Sequence, residues 1–275
     1  MIFQDIAPSE RLRDFIQVIR IRHFIIPETT VIFPKPYPTR PEHCIVFYPR
    51  GYEVTRCSLT GLSRRRPTAV VSGQYTHRID RYSGTHEILM ILVVLKPGVL
   101  HRITGIPFTE LTNTHIDLED LFPWLFKDTL HRPEDSISYT EMLRIVEQTL
   151  WQLVNRQKIS VQPIDRIIDS ILVSNKHSID EIAFKACLSS RQLLRKFESY
   201  VGVGPKLFTR IVRFNRTYFK KLDRNSVDWL DLALSEGYTD YQHLVRDYRE
   251  FAGLTPKQLF IEESKVLERA LGLNK

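Results

Sequence analysis

Two short segments near the carboxyl end carry side chains of the types that read nucleic-acid bases. The first segment carries Arg191, Leu194, Arg195 and Glu198, and the second carries Gln242, Val245, Arg246 and Arg249. In the major groove of DNA, guanidinium groups match the acceptors of guanine, carboxamides match the edge of adenine, and apolar side chains contact the methyl group of thymine. A solvated helix surface has a similar composition in any single segment, but the recurrence of the pattern favours base recognition.

Both segments belong to an internal duplication with a period of about fifty residues. Residues 197–206 align with residues 248–257, and Arg195 aligns with Arg246. Each copy has the pattern of a helix, a tight turn and a second helix, which is typical of a helix-turn-helix unit. The sequence therefore predicts two such units in tandem.

Capping and glycine signals mark where these helices start and turn. In the first copy, residues 178–181 and 189–192 have the Ser-x-x-Glu and Ser-x-x-Gln spacing of capping boxes, which predicts two helix starts. In the second copy, Gly237 suits a left-handed turn position, and Thr239 or Asp240 suits the cap of the next helix.

The apolar residues of each predicted second helix gather on the side opposite to the arginines. They are Leu193, Phe197 and Tyr200 in the first copy and Leu244, Tyr248 and Phe251 in the second. Between the copies, residues 206–222 predict a basic connecting helix. Its apolar side carries Leu207, Ile211, Phe214, Tyr218 and Leu222. Such a connector would hold the two units about one DNA turn apart, roughly 34 Å.

Residues from about 160 to 262 resemble the double helix-turn-helix domain of the AraC/XylS family of bacterial transcription regulators. The stretch 231–256, DLALSEGYTDYQHLVRDYREFAGLTP, is similar to the most recognisable motif of that family. The first copy fits through Ser189, Leu193, Phe197 and residues 202–205. Three positions depart from the family pattern, namely Cys187, Thr217 and Leu244, and none of them is a DNA-facing position.

The resemblance implies which residues contact DNA. By comparison position by position, the residues that face bases would be Arg191, Leu194, Arg195, Tyr241, Gln242 and Arg246. The residues that contact phosphates would be Ser190, Arg210, Arg213, Arg249 and Lys257. The family further implies double-stranded DNA and RNA polymerase as partners, a homodimer, and activation rather than repression of transcription.

The first 115 residues read as strand-rich. Short apolar runs at 44–48, 69–71 and 88–95 alternate with Pro and Gly, which predicts a β-sandwich or barrel. Residues 116–158 have helical periodicity. A seam of Tyr139, Leu143, Val146, Leu150 and Leu153 predicts one long helix. Met142, Ile145 and Val154 widen its apolar surface, which raises the possibility of packing on a second subunit as well as on the chain itself.

The fold class is therefore α+β, with domains at 1–158 and 160–262 and a tail at 263–275. The segments 95–98, 105–107, 110–113 and 118–121 are weakly similar to sensor domains of the same family, which implies a cupin-like β-barrel with dimerisation helices.

A pocket for a small effector would be lined by Phe47, Tyr75, His77 and Tyr82. An effector-independent regulator, whose N-terminal domain only dimerises or binds another protein, is the alternative.

Enzyme chemistry and a cofactor are not expected. The histidines and Glu87 near the strands lack the His-x-His pair of a cupin metal site, and His86 and Glu87 would point to opposite faces of a strand. The three cysteines, far apart in the sequence, indicate neither a disulfide framework nor a zinc site. No metal is therefore predicted.

Charge and hydropathy agree with a DNA-binding protein of the cytoplasm. The net charge is +7, which suits a polyanionic partner. Arg64, Arg65 and Arg66 form a local basic cluster that is interpreted as a solvated loop, with contact to DNA or to an acidic effector as the alternative. The longest apolar run, 88–95, is far shorter than the roughly 20 residues of a membrane-spanning helix, and charged residues interrupt the start of the chain where a signal peptide would need apolar ones.

Overall fold

The computed structural model describes residues 2–29, 34–126, 138–156, 159–173, 181, 188–224 and 226–264. These residues form a β-rich part followed by a helical part, as the α+β prediction requires. Within the described residues no helix is long and apolar enough to cross a membrane.

Ten strands of the β-rich part form two antiparallel sheets. In chain order they are β1 (Ile2–Ile6), β2 (Ile16–Ile25), β3 (Lys35–Tyr37), β4 (His43–Arg50), β5 (Glu53–Cys57), β6 (Ser63–Arg65), β7 (Ala69–Ser72), β8 (Ile79–Ser83), β9 (Glu87–Leu95) and β10 (His115–Asp117). The six-stranded sheet has the order β1-β2-β9-β4-β7-β10, and the four-stranded sheet has the order β3-β8-β5-β6. The predicted strands at 44–48, 69–71 and 88–95 lie in β4, β7 and β9.

The six-stranded sheet is buried on both faces, which explains the continuous apolar runs of β4 and β9. Ile45 and Phe47 point to one face and pack with the helices of this part. Cys44 and Val46 point to the other face, towards the four-stranded sheet. The sandwich is cupin-like, and its interior lies between the two sheets.

Four helices cover the outer face of the large sheet. They are α1 (Val99–Thr104), α2 (Leu118–Leu121), α3 (Pro123–Phe126) and α4 (Tyr139–Asn155). Met142, Ile145 and Val154 on α4 are buried by this chain. These three residues therefore offer no surface to a second subunit, because the chain itself covers them.

Among the residues that the structure describes, the helical part contains six further helices. They are α5 (Pro163–Val173), α6 (Ser190–Val201), α7 (Pro205–Asp223), α8 (Trp229–Ser235), α9 (Tyr241–Ala252) and α10 (Pro256–Glu263). Pro163 begins α5, where its fixed φ suits the first helical position. The first helix of the first copy, with its predicted cap at Ser178, lies largely outside the described residues, as do Cys187 and the tail from residue 265.

The long helix α7 contributes to the apolar cores of both halves of the helical part. Phe208 and Val212 on α7 pack in one apolar cluster with α5 and α6. Ile211, Phe214 and Tyr218 pack in a second cluster with α8, α9 and α10. The predicted connector between the two copies is thus confirmed, and it is buried along much of its length.

Candidate nucleic-acid interface

Helix α6 has a well-defined start and a cationic outer face. Ser189 caps it, because its hydroxyl accepts from the N–H of Gln192 while the Gln192 side chain accepts from the Ser189 N–H, which confirms the predicted capping box. Leu193, Phe197 and Tyr200 are buried. The predicted base-facing residues of this helix are all exposed, namely Arg191, Leu194 and Arg195. Ser190 is also exposed, in the first turn.

Leu194 is 44% exposed, although the same helix has a buried apolar side. It lies between two exposed arginines on the same surface. An apolar side chain in that setting is suited to contact with an apolar group of a partner, such as a thymine methyl.

Helix α9 repeats this arrangement in the second copy. The Asp240 carboxylate caps the helix by accepting from the N–H of His243 at 2.7 Å, and Gly237 adopts the predicted left-handed conformation with a φ of 82°. Leu244, Tyr248 and Phe251 are fully buried, as predicted. The base-facing candidates Gln242 and Arg246 are exposed, and Tyr241 is half-buried.

Val245 departs from the expected outward face. It is buried, because α9 packs against both α7 and α8, so its buried arc is wider than one row of apolar residues. The second reading surface therefore lacks the apolar residue that the sequence pattern suggested for it.

Arg210 and Arg213 on α7 both bind a buried carboxylate on α9. Asp247 on α9 is 1% exposed. Its carboxylate accepts from Arg210 at 2.7 Å, from Arg213 at 3.4 Å and from the Tyr238 hydroxyl at 3.0 Å. The guanidinium of Arg213 also lies 4.0 Å from the centre of the Tyr238 ring. Both arginines join α7 to α9 and remain partly exposed, with 30% of the Arg210 side chain and 16% of the Arg213 side chain accessible, so their contact with phosphates stays a prediction.

Exposed cations remain at equivalent places in the two copies. Arg249 lies on α9, and Lys257 lies in the first turn of α10 just after Pro256. Lys206 follows Pro205 in the same way at the start of α7. Sequence analysis did not assign Lys206 to the phosphate set, although the alignment of residues 197–206 with 248–257 pairs it with Lys257. Helix N-termini favour anions, so both lysines are placed to bind phosphate.

The β-rich part holds the C-terminal end of α6. The Thr112 hydroxyl donates to the carbonyl of Gly202 at 2.7 Å, and His43 Nε2 lies 3.3 Å from the carbonyl of Val201. Burial lowers the pKa of His43 to about 4. The imidazole is neutral at neutral pH, and the Nε2–H tautomer donates to Val201.

The same β-rich part holds the C-terminal end of α9. The N–H and hydroxyl of Thr39 both donate to the carbonyl of Phe251, at 3.3 and 3.2 Å. Arg78 donates to the carbonyl of Ala252 at 3.5 Å and pairs with Glu262 at 2.9 Å. The C-terminal ends of α6 and α9 are therefore both anchored to the β-rich part. In each helix the anchored carbonyls lie within one turn of the last buried aromatic residue.

The predicted effector residues do not form one pocket. Tyr75 lines a cavity between the two sheets. Phe47 packs on the opposite face of the large sheet, among the helices. Tyr82 neighbours the inward-facing Arg81 on β8, so its side chain points away from the interior. His77 Nε2 lies 3.2 Å from the Cys57 sulfur instead. The pocket prediction is thus wrong for Phe47 and Tyr82.

Sequence analysis missed the residues that do line this cavity. Arg40, Arg66 and Arg81 contribute guanidinium groups to it. Arg64 and Arg65 are exposed as expected, but Arg66 is only 5% exposed. Nothing in the run of three arginines marks Arg66 for burial, because it follows directly after the exposed strand β6, which ends at Arg65.

The chain is similar to a described domain in its β-rich part and to transcriptional regulators. Residues 4–117 match the model of a domain of unknown function, DUF6597. The HTH-type transcriptional regulator ArgR of Pseudomonas aeruginosa is 35% identical over 79 residues, which are 29% of this chain and 24% of that protein. An uncharacterized HTH-type transcriptional regulator of Haemophilus influenzae is 24% identical over 130 residues, 45% of this chain and 43% of that protein.

The crystal structure of ToxT from Vibrio cholerae O395 is similar over 92% of this chain and 100% of that chain, with 9% identity and a TM-score of 0.48. The chain spans less than half the length of the two curated relatives. Its duplicated helix pairs, the 231–256 motif and the helix-turn-helix regulators among its relatives agree with one another. The two curated relatives that the chain matches are both HTH-type transcriptional regulators.

Proposed function

We propose that the chain is a sequence-specific DNA-binding transcription regulator, which inserts α6 and α9 into two adjacent segments of the major groove of one duplex. The proposed division of labour follows the predicted domains, with 160–262 binding DNA and 1–158 controlling it. The base-facing set is Arg191, Leu194, Arg195, Tyr241, Gln242 and Arg246. The phosphate set is Ser190, Arg210, Arg213, Arg249, Lys257 and Lys206.

One observation carries this proposal. Both helices are anchored by their C-terminal ends to the same β-rich body, through Gly202 and Phe251, while their N-terminal halves carry exposed arginines, namely Arg191 and Arg195 on α6 and Arg246 on α9. Recognition helices contact base edges mainly through their N-terminal residues. Two such helices on one rigid frame suit a bipartite site whose halves have a fixed spacing.

The finer parts of the proposal rest on the family. Control by a small effector, activation of transcription, dimerisation and contact with RNA polymerase are the functions we propose by that analogy. The burial of Met142, Ile145 and Val154 removes the surface first predicted for a dimer contact. The alternative, an effector-independent regulator, predicts that no small molecule changes the affinity for DNA.

Selection of binding sites from random DNA tests the proposal. We expect the full-length chain to enrich a bipartite sequence with two blocks about 10 base pairs apart, centre to centre. Moving the blocks apart by five base pairs should reduce the affinity to that of one block, because α7 and the β-rich body fix the separation of the helices. Absence of sequence enrichment, or enrichment of one block only, would contradict the proposal.

A further inference from the structure

A small cavity between the two sheets has a polar wall with an excess of positive charge. Its volume is about 30 Å³, and the residues that line it include Arg40, Glu42, Arg66, Ser72 and Arg81. A space of this size holds about two water molecules or the head of a small ligand. The remaining wall is partly apolar.

The carboxylates near this cavity are already engaged by other arginines. Glu53 binds Arg81 through both oxygens, with N···O distances between 2.6 and 3.0 Å. Glu42 binds Arg20 through both oxygens at 3.1 Å and reaches Arg40 only at 4.0 Å. The two carboxylates thus pair with three guanidinium groups, and Arg20 has a further contact with Asp5 outside the cavity.

Arg66 has no carboxylate within 4 Å among the residues that the structure describes. Its Nη1 donates to the Tyr48 hydroxyl at 3.3 Å, and that hydroxyl itself donates to Glu53. Burial opposes the charge of Arg66, but its interaction with Tyr48, Tyr75 and Glu53 keeps its pKa above the ordinary value. The side chain is therefore a buried cation without a direct counter-ion, an arrangement that is unfavourable as long as it stays unpaired.

Polar atoms without a hydrogen-bond partner in the cavity wall also indicate that a negatively charged group is missing from the cavity. Arg40 Nε, Arg66 Nε and Ser72 Oγ are buried, and none of them has a hydrogen-bond partner. Two of the three are N–H donors that cannot accept. Buried donors are nearly always paired in folded proteins, so the cavity lacks an acceptor that carries negative charge.

We propose that this cavity binds a small carboxylate monoanion, which accepts hydrogen bonds from Arg66, Arg40 and Ser72. This inference rests on the proposed control of the N-terminal domain by an effector, and it names the chemical class of that effector. One uncompensated guanidinium calls for one negative charge, and guanidinium groups bind carboxylates through two parallel hydrogen bonds. Val46 and Leu92 in the wall would contact a short alkyl tail.

The cavity wall is directly continuous with the segment that anchors α9. Pro38, Arg40 and Glu42 line the cavity, whereas Thr39 between them bonds to the helical part. The Thr39 carbonyl accepts from Asn215 Nδ2 on α7 at 2.8 Å, and its N–H donates to Phe251. The Arg40 guanidinium also lies 5.0 Å from the centre of the Phe219 ring.

Another part of the cavity wall lies next to Thr112, the residue that bonds to the C-terminal end of α6. Ser72 and Gly73 line the cavity, and Gly73 lies so close to Leu111 that an added Cβ would come 2.0 Å from the Leu111 carbonyl oxygen. The next residue, Thr112, donates to Gly202 at the end of α6. A ligand that draws Arg40 and Ser72 towards itself therefore acts on both anchors, and it changes DNA affinity to the extent that it favours one arrangement of them.

Ligand-dependent stability of the full-length chain tests the proposal. Propionate is the probe, propionamide is its neutral isostere, and sodium chloride holds the ionic strength constant. We expect propionate to raise the Tm saturably and propionamide to leave it unchanged. Arg66→Met should weaken propionate binding at least about thirtyfold without lowering the Tm of the ligand-free protein, since it removes an unpaired buried charge.

Arg65→Met is the matched control, because the same substitution at the exposed neighbour should leave propionate binding unchanged. Equal shifts with propionate and propionamide, or an unchanged response of Arg66→Met, would overturn the proposal. If Arg66→Met does not fold, Ser72→Ala serves in its place and should weaken binding about tenfold, the loss of one hydrogen bond to a charged group. Unchanged affinity of Ser72→Ala would then overturn it.

Affinity for the selected DNA site, measured with and without propionate, separates this inference from the proposed function. Propionate binding that alters DNA affinity supports both. A bipartite DNA site together with absent propionate binding overturns the carboxylate site alone. Saturable propionate binding in a chain that selects no DNA sequence supports the site and contradicts the regulator.

Discussion

Arg102 and Asp165 form a buried ion pair between the β-rich and helical parts, with Arg102 Nη1 2.9 Å from Asp165 Oδ1. The neighbouring His101 ring lies 4.1 Å from the Tyr200 ring of α6. Gly98 makes the approach possible, because it adopts a φ of 74° and an added Cβ would come 1.7 Å from the Asp165 carboxylate. This contact gives a structural reason for the glycine in the Leu-Lys-Pro-Gly segment.

A double-mutant cycle measures the strength of this contact. Arg102→Met or Asp165→Leu alone should lower the free energy of unfolding by about 3 to 5 kcal/mol, because each leaves the other charge buried and unpaired. The double variant should lose much less than the two single losses together. Urea unfolding of the four proteins gives the coupling energy, and strictly additive losses would show that the pair does not join the two parts.

Asp247 is expected to be a structural carboxylate. Asp247→Asn should destabilise the chain by about 3 kcal/mol, because it removes the negative charge that Arg210 and Arg213 share in a buried place. Glu250→Gln is the matched control, since Glu250 pairs with the same Arg210 at the exposed surface and should cost about 0 to 1 kcal/mol. Thermal unfolding compares the two, and equal losses would contradict the role of Asp247.

Stability should fall as the pH falls from 6.5 towards 4. The pKa of His43 is lowered by burial to about 4, below its ordinary value near 6.5, so the unfolded chain binds more protons in this range. Between pH 7 and pH 5 the loss for His43 is about 2 kcal/mol. His115, whose pKa burial also lowers to about 4, adds a similar loss.

His43→Gln should flatten this pH dependence, since glutamine retains a donor for Val201 but does not titrate. The exposed His86→Gln is the control and should leave the profile unchanged. Unfolding free energies at pH 5, 6 and 7 provide the comparison. Parallel profiles for His43→Gln and the unmodified chain would show that this histidine does not cause the acid loss.

Phosphate contacts should appear in the salt dependence. Arg249→Ala or Lys257→Ala should weaken binding to specific and random DNA alike, and each should reduce the slope of log affinity against log salt by about 1. Arg13→Ala, an exposed cation of the β-rich part, should leave the slope unchanged. A slope that stays constant in Arg249→Ala and Lys257→Ala would remove these residues from the phosphate set.

The buried faces of the helices in the helical part were predictable from the sequence. The helical periodicity of each copy indicated them, and the alignment of the two copies indicated them again. Leu193 and Leu244, Phe197 and Tyr248 occupy equivalent buried places. Val245 was assigned wrongly because the width of a buried arc depends on how many helices pack against it. The burial of Asp247 was also beyond the pattern, since a carboxylate on a helix is exposed unless a tertiary partner neutralises it.

In the β-rich part three strands, β4, β7 and β9, were predictable from their apolar runs, and the faces of their residues were not. Residues 44–48 form a continuous apolar run, so nothing in the run tells that Phe47 faces the helices while Val46 faces the cavity. Three consecutive arginines likewise give no sign that only Arg66 is buried. The cavity is formed by strands far apart in the chain, and their register follows from the packing of the two sheets.

The central claim is that α6 and α9 read two parts of one duplex. Binding-site selection repeated with Arg195→Ala and with Arg246→Ala tests it most directly, with affinities measured on the site of the unmodified chain. We expect each variant to lose about 1 to 3 kcal/mol and to relax base preference in a different block, with the two affected positions about one DNA turn apart. Equal losses on specific and random DNA, or relaxation of the same position by both variants, would contradict the claim.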